Sequence, residues 1–191
     1  MKKNDVWNDK NLHKTLKEGG VVVMPTDTLY GIVGKAENEK TVNRIYEIRK
    51  RAPSKPCIIL ISDIKDLGKF SINISKEQKL VLEKYWSINT EPVSIILDCN
   101  EEKFRYLHRD TNSLAFRLPA QGGLQDLLKE TGPLVAPSAN LEGLPPALNI
   151  IEAKKYFGDS VDLYVDGGEI KGKASKVIRL KKDGSVEVLR D

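Results

Sequence analysis

Few of the 191 residues are of the kinds that announce chemistry on their own. There are two cysteines and two histidines. Cys57 and Cys99 each lie within or beside an apolar run, so they read as buried free thiols rather than a disulfide. His13 and His108 stand apart with no ligand-spaced partner, so no structural metal site is expected. Aromatic residues make up 6% and do not interleave with the cations, which is poor material for the stacking platforms that hold single-stranded nucleic acid. No apolar run approaches the ~18–20 residues of a membrane span, so no membrane partner is expected. No secretory apolar segment follows Met1, because Lys2, Lys3, Asn4 and Asp5 lead into a polar helix; a cytoplasmic enzyme or binding protein is the expectation. The net charge of +4 is a mild excess of base, suited to a polyanion such as a nucleotide without demanding nucleic acid.

What is present is organised around residues 20–31, where an apolar run breaks into small hydroxyls, a carboxylate and a phenol. Val21, Val22 and Val23 are β-branched and read, with Met24, as a buried strand that Pro25 stops. Thr26, Asp27 and Thr28 therefore fall just past a strand's carboxyl end, where open α/β sheets bind ligands. The alternative is a turn closed by its own side-chain to backbone hydrogen bonds.

The remaining pattern is α/β throughout, of a length that fits one domain and a substantial core. Asn8 or Asp9 caps a first helix that Gly19 and Gly20 end. Strands are expected at residues 21–24, 29–33, 57–61, 93–97, 114–118, 134–136 and 162–165, with a hairpin over 175–190. Helices are expected at 41–51, 64–70, 124–130 and 149–157, and a capping box at Ser75 with Gln78 opens another through Trp86. Arg49, Lys50, Arg51 and Lys55 form a basic cluster that reads either as a solvated helix end or as a phosphate site. Arg117 interrupts an apolar strand, so it needs a partner, either a ligand's carboxylate or phosphate or a structural carboxylate. Pro137 followed by Ser138, Ala139 and Asn140 repeats the theme of a strand ending in small polar groups. Residues 167–173 have the spacing of a Walker A loop, but Ala174 occupies the hydroxyl position and a strand-like segment follows, so a P-loop is rejected.

Pro25-Thr-Asp-Thr-Leu-Tyr-Gly31, the helix ending in Arg49-Lys50-Arg51, Pro137-Ser-Ala-Asn140 and the late Asp166-Gly-Gly with Gly172 and Ser175 occur in an order that resembles the YrdC-like family of threonylcarbamoyl-AMP synthases. The resemblance runs from about Gly19 to Arg190. It implies one domain over residues 1–191, a twisted mixed sheet with flanking helices around a positively charged cavity. Longer relatives carry a further carboxyl-terminal domain, for which this length is expected to leave no room. The implied reaction joins L-threonine and bicarbonate to N-carboxythreonine, which attacks the α-phosphate of ATP and releases pyrophosphate. Threonylcarbamoyl-adenylate, the product, serves partner proteins of tRNA threonylcarbamoylation at adenosine 37. No tightly bound cofactor is implied, and Mg2+ comes with ATP.

Carried over residue by residue, the resemblance assigns Thr28, Arg117 and Ser175 to L-threonine. It assigns Arg51, Lys55, Ser113, Ala136, Ser138 and Arg190 to ATP, and Arg49, Lys50, Arg51, Ser138 and Asn140 to catalysis. Departures are also visible. The family's Lys-x-Arg is Arg49-Lys50-Arg51, so either Arg49 replaces the lysine or Lys50 substitutes from beside it; Leu60 stands where longer relatives have a histidine; Lys176 follows Ser175 in place of a threonine; and residues 86–92 replace a Trp-Pro-Gly-Pro stretch. Two other functions stay open at this stage, an RNA-binding or ribosome-maturation module and a nucleotide-binding paralogue without synthesis.

Overall fold

The computed structural model describes residues 6–87, 91–120 and 122–191. The expectations placed on Lys2 to Asp5, and on Ile88 to Thr90 within the stretch 86–92, lie outside the described residues. Strands β1 (Val22–Pro25) and β2 (Tyr30–Lys35) form an antiparallel hairpin around Thr26–Thr28. They are followed by β3 (Ile58–Leu60), β4 (Val93–Asp98), β5 (Ser113–Arg117), β6 (Leu134–Val135), β7 (Leu163–Tyr164), β8 (Lys176–Leu180) and β9 (Val186–Arg190). All nine join one mixed sheet in the order β7-β1-β2-β6-β3-β5-β4-β8-β9. The parallel pairs are β1 with β7, β3 with β5 and β4 with β8.

Local chemistry explains the helix boundaries. Asp9, rather than Asn8, caps α1 (Lys10–Lys17) by accepting from Leu12 N. Asn38 caps α2 (Glu39–Arg49), and the Ser75–Gln78 capping box opens α3 (Lys76–Tyr85) as expected. Between β4 and β5 lies a short helix, α4 (Arg105–His108), that the pattern did not reveal; α5 (Gly122–Thr131) and α6 (Ile150–Phe157) match their expected places. The predicted helix at residues 64–70 is a 3₁₀ helix, Ile64–Phe70, opened by a reciprocal Asp63–Asp66 box.

The two sheet faces are covered unequally. On one, α2, α3, α4, α6 and the Ile64–Phe70 turn bury Val23, Ile32, Ile59, Ile95, Phe116 and Ile178 in the main core. On the other, α1 and α5 cover only the β1-β2-β6-β3 half, burying Val22, Met24, Val33, Leu60 and Leu134. The β5-β4-β8 half of that second face carries Ser113, Ala115, Arg117, Ile96, Ser175, Val177 and Arg179, and these side chains line a cavity instead of a second core. Because successive strand residues point to opposite faces, the same strands are apolar toward the core and small or basic toward the cavity. Cys57 and Cys99 are both buried and free.

Candidate functional site

The cavity has a volume of about 530 Å³ and is walled by four segments that rise around the strand floor. One wall is the β1–β2 turn. Thr26 closes it: its Oγ1 donates to Leu29 O at 2.7 Å, and its N donates to the same carbonyl at 2.9 Å. That leaves Thr28 in the lining, with its hydroxyl 3.2 Å from Thr26 Oγ1. The turn is thus closed by its own hydrogen bonds, as one reading had it, and both Thr26 and Thr28 also stand in the cavity lining. Asp27 does a third thing: its Oδ1 accepts from Arg117 Nη2 at 2.7 Å, with side-chain exposures of 6% and 4%. Arg117 thus has a structural carboxylate and also faces the cavity, while its buried Nε has no partner.

The second wall is the loop after α2. Arg51 lines the cavity and grips its own loop, donating through Nε to Lys55 O and through Nη2 to Pro56 O, each at 3.0 Å. The other expected cations of this cluster do not line it. Arg49 continues the buried stripe of α2 after Val42, Ile45 and Tyr46, so its side chain goes inward behind the Ser-x-Asn turn. There it donates to Asn140 O and Asn140 Oδ1, each at 3.0 Å, and its Nη1 lacks a partner. Burial, and next the charge of Arg51, push its guanidinium down to about 10. Lys50 caps the helix in a left-handed conformation (φ 50°) and is exposed, so neither Arg49 nor Lys50 puts a cation of the Lys-x-Arg position into the cavity lining. Lys55 is exposed outside the lining and ion-paired to Glu142.

The third wall is residues 136–146. Ala136, Pro137 and Ser138 line the cavity, and β2 is stitched to them through Ile32 N to Pro137 O and Ala139 N to Tyr30 O. Ser138 Oγ donates to Asn140 Oδ1 at 2.7 Å, and Asn140 Nδ2 donates to Leu141 O and Leu144 O, both at 2.8 Å. Asn140 spends its amide on shaping the turn and does not reach the cavity; it supports Ser138 from behind.

The fourth wall is the connection from β7 to β8, residues 165–175, which includes the rejected Walker-like segment. No helix begins there. The Tyr30 hydroxyl donates to Gly168 O and accepts from Gly167 N, both at 2.8 Å, and Gly172 lies so close that a Cβ would sit 1.8 Å from Thr28 O. This strap delivers Ser175, whose hydroxyl is 2.8 Å from Ser94 Oγ. Beside it, β9 carries one extra residue against β8, so that Val177 faces Arg190 while Ile178 faces Val188. The bulge leaves Leu189 half exposed and turns Arg190 toward the cavity, where it donates twice to Ser175 O. Burial, and then the neighbouring Arg117, lower the Arg190 pKa.

Four guanidinium groups, Arg51, Arg117, Arg179 and Arg190, line the cavity, and no Asp or Glu is among the described lining residues. Such a wall suits a ligand with several negative charges. The structure brings Thr28, Arg51, Ser113, Arg117, Ala136, Ser138, Ser175 and Arg190 together around one space, and leaves Arg49, Lys50, Lys55 and Asn140 outside its lining. Reading the sequence missed Arg179 and Tyr30. Arg179 does leave a trace, since it is a cation set between Ile178 and Leu180 at the alternation of Ser175 and Val177.

A family model described as "Telomere recombination", that of the Sua5, YciO and YrdC proteins, matches residues 14–191. The chain belongs to the Sua5/YciO/YrdC family. Within that family it is 30% identical over 176 residues to the threonylcarbamoyl-AMP synthase of Pyrococcus abyssi, covering 91% of this chain and 51% of that one. Against the threonylcarbamoyl-AMP synthase of Idiomarina loihiensis it is 28% identical over 190 residues, 98% of each chain. Pyrococcus abyssi Sua5 complexed with L-threonine superposes with a TM-score of 0.83 at 27% identity, covering 100% of this chain and 54% of that one. Escherichia coli YciO, at 24% identity and a TM-score of 0.79, shares the Sua5/YciO/YrdC fold. The chain spans about half the length of the Pyrococcus abyssi and Bacillus subtilis synthases it matches. No helix among the described residues is long and apolar enough to cross a membrane.

Proposed function

We propose that the protein is an L-threonylcarbamoyladenylate synthase, a nucleotidyltransferase that converts ATP, L-threonine and bicarbonate to threonylcarbamoyl-AMP and pyrophosphate. The observation that carries this reading is the meeting of two residue sets in one cavity. Thr28, Arg117 and Ser175 stand with Arg51, Ser113, Ser138 and Arg190, and four arginines face in without a lining carboxylate. Names of relatives and the L-threonine complex of Pyrococcus abyssi Sua5 support it.

In this reading Arg117 binds the threonine carboxylate through N–H groups not engaged by Asp27. Thr28 and Ser175 bind the remaining polar groups. The amine of threonine forms a C–N bond to bicarbonate carbon as water leaves. A carbamate oxygen then attacks the α-phosphorus, and the bond to the β,γ-diphosphate breaks. The carbamate is already an anion at that step, so no general base is needed for it. Arg51, Arg190, Ser138 and the backbone at Ala136 hold the phosphates and offset charge that builds at the α-phosphate, as preorganised donors do in other phosphate-transfer sites. Arg49 and Asn140 act through Ser138 rather than on substrate. The lining offers Mg2+ hydroxyls but no carboxylate, so the ion fits as the triphosphate's own counter-ion. Threonylcarbamoyl-AMP would then pass to proteins that modify adenosine 37 of tRNA.

Pyrophosphate release by the purified protein tests the reading. The expected result is release that requires ATP, L-threonine and bicarbonate together. Release unaffected by omitting threonine would overturn it. Absence of release together with tight RNA binding would favour the RNA module instead.

A further inference from the structure

Glu142 belongs to none of the motifs above, yet it is the anion against which the basic loop is set. Its position is fixed from behind: Glu142 N donates to Arg49 O at 3.0 Å, and Asn140 Nδ2 ties down the carbonyls of Leu141 and Leu144 on either side. Its carboxylate accepts from Ala52 N and, at 2.5 Å, from Lys55 Nζ. The two partners differ in freedom. The Glu142 side chain is 25% exposed and the Lys55 side chain 60%. The Lys55 backbone is held at its carbonyl by Tyr46 Oη at 2.8 Å and by Arg51 Nε at 3.0 Å. What can move is therefore the lysine's four-carbon stem, pivoting on a fixed backbone beside the cavity wall that Arg51 and Pro56 form. The hydrogen bond from Lys55, first, and that from Ala52 N hold the Glu142 carboxyl below its usual range, so it is ionised at neutral pH.

We propose that Glu142 is a built-in competitor of the nucleotide's phosphates for the Lys55 ammonium, and that it sets nucleotide affinity by making a phosphate contact at Lys55 the exchange of one ion pair for another. The inference rests on the assignment of Lys55 to the nucleotide. The Ala52 N–H bond keeps the loop in place while the exchange occurs, so the acid acts on both the position and the charge of this wall. It predicts that neutralising the acid tightens nucleotide binding, the reverse of what loss of a support would do.

Calorimetric titration of ATP into four proteins tests this: wild type, Glu142→Gln, Lys55→Gln and the double variant. Glutamine keeps the shape and an oxygen for Ala52 N–H but drops the charge. The expected result is an ATP Kd lowered about two- to fivefold by Glu142→Gln, the equivalent of one modest ion pair, with the gain shrinking as salt rises. Lys55→Gln should raise the Kd, and adding Glu142→Gln to it should change nothing further. An unchanged or raised Kd for Glu142→Gln, with ATP still bound, would overturn the role of Glu142 and leave the nucleotide site standing. A gain of equal size with and without Lys55 would also overturn it, since the acid would then act through the general field of the cavity. Failure of the wild type itself to bind ATP would remove the nucleotide assignment and this inference with it. Glu142→Asp is the guard against a folding defect in the glutamine variant. It keeps the charge, and an affinity nearer to wild type than that of Glu142→Gln is expected.

Discussion

Truncating Asp27 to alanine should be among the costlier single changes in this protein, and the structure says by how much. Asp27 and Arg117 are 6% and 4% exposed at their side chains and 2.7 Å apart, ninety residues from each other in sequence. Removing one member of a buried pair leaves the other charged and dry, which costs about 3–5 kcal/mol. Here the remaining arginine already has a partnerless Nε and lies near Arg190. A domain of this size is stable by roughly 5–15 kcal/mol, and each kcal/mol moves its melting temperature by about 2–4 °C, so a drop of about 6–20 °C is expected. Asp27→Asn keeps an acceptor and loses the charge. The difference between a charge-assisted and a neutral hydrogen bond sets its cost at about 1–2 kcal/mol. The assay is urea unfolding of Asp27→Ala, Arg117→Met and the double variant. The double variant should lose at least about 2 kcal/mol less than the sum of the singles, because it buries no orphan charge. L-threonine should stabilise Asp27→Asn as well as wild type if Arg117 also binds a ligand carboxylate. Losses that add to within about 0.5 kcal/mol would refute the reasoning, since independent sites add.

Three further outcomes are expected. Gly172→Ala places a methyl against the Thr28 carbonyl, so the strap must lift; synthesis should fall by at least about tenfold, and trypsin should cut more readily at Lys171 or Lys173. Tyr30→Phe leaves Gly167 N and Gly168 O without their shared phenol and should cost about 1–3 kcal/mol in urea unfolding. Hydrogen bonds from Arg44, before all else, hold the Asp162 carboxyl below its usual range. A depressed folded-state pKa contributes stability above the unfolded value near 3.9 and loses it as pH falls through the folded value. Asp162→Asn should therefore be about 0.5–1 kcal/mol less stable than wild type at pH 7, with the difference shrinking as pH falls below the unfolded value, by urea unfolding across that range.

Local signals were read where local forces decide. The Ser75–Gln78 box, the Gly158 stop of α6 and the apolar runs of β1, β4 and β5 each depend on residues within a few positions, and each was legible. The short helix α4 was not, since four residues give no period to detect. In the site, the hydroxyls and the arginines other than Arg179 were legible as types. Which of them face the cavity was not, because that depends on sheet order and on helix phase. Arg49 turns inward since it falls on the buried stripe of α2, and Lys50, one residue later, falls on the cap. The Asp27 partner of Arg117 and the Glu142 partner of Lys55 join segments 90 and 87 residues apart, and no spacing rule reaches that far.

The cavity floor is a strand ladder and its walls are irregular segments, and this divides the molecule by how freely it can change. Ser113, Ala115, Arg117, Val177 and Arg179 are aimed by the same register that buries Leu114, Phe116 and Ile178, so shifting any of them by one position would exchange site for core. The turn at Thr26–Thr28, the loop around Arg51, the Glu142 turn and the strap obey no such alternation. They can be lengthened, shortened or recomposed while the ladder keeps presenting its charges. A descendant that selected a different ligand would therefore be expected to differ in these walls and to inherit the floor almost intact.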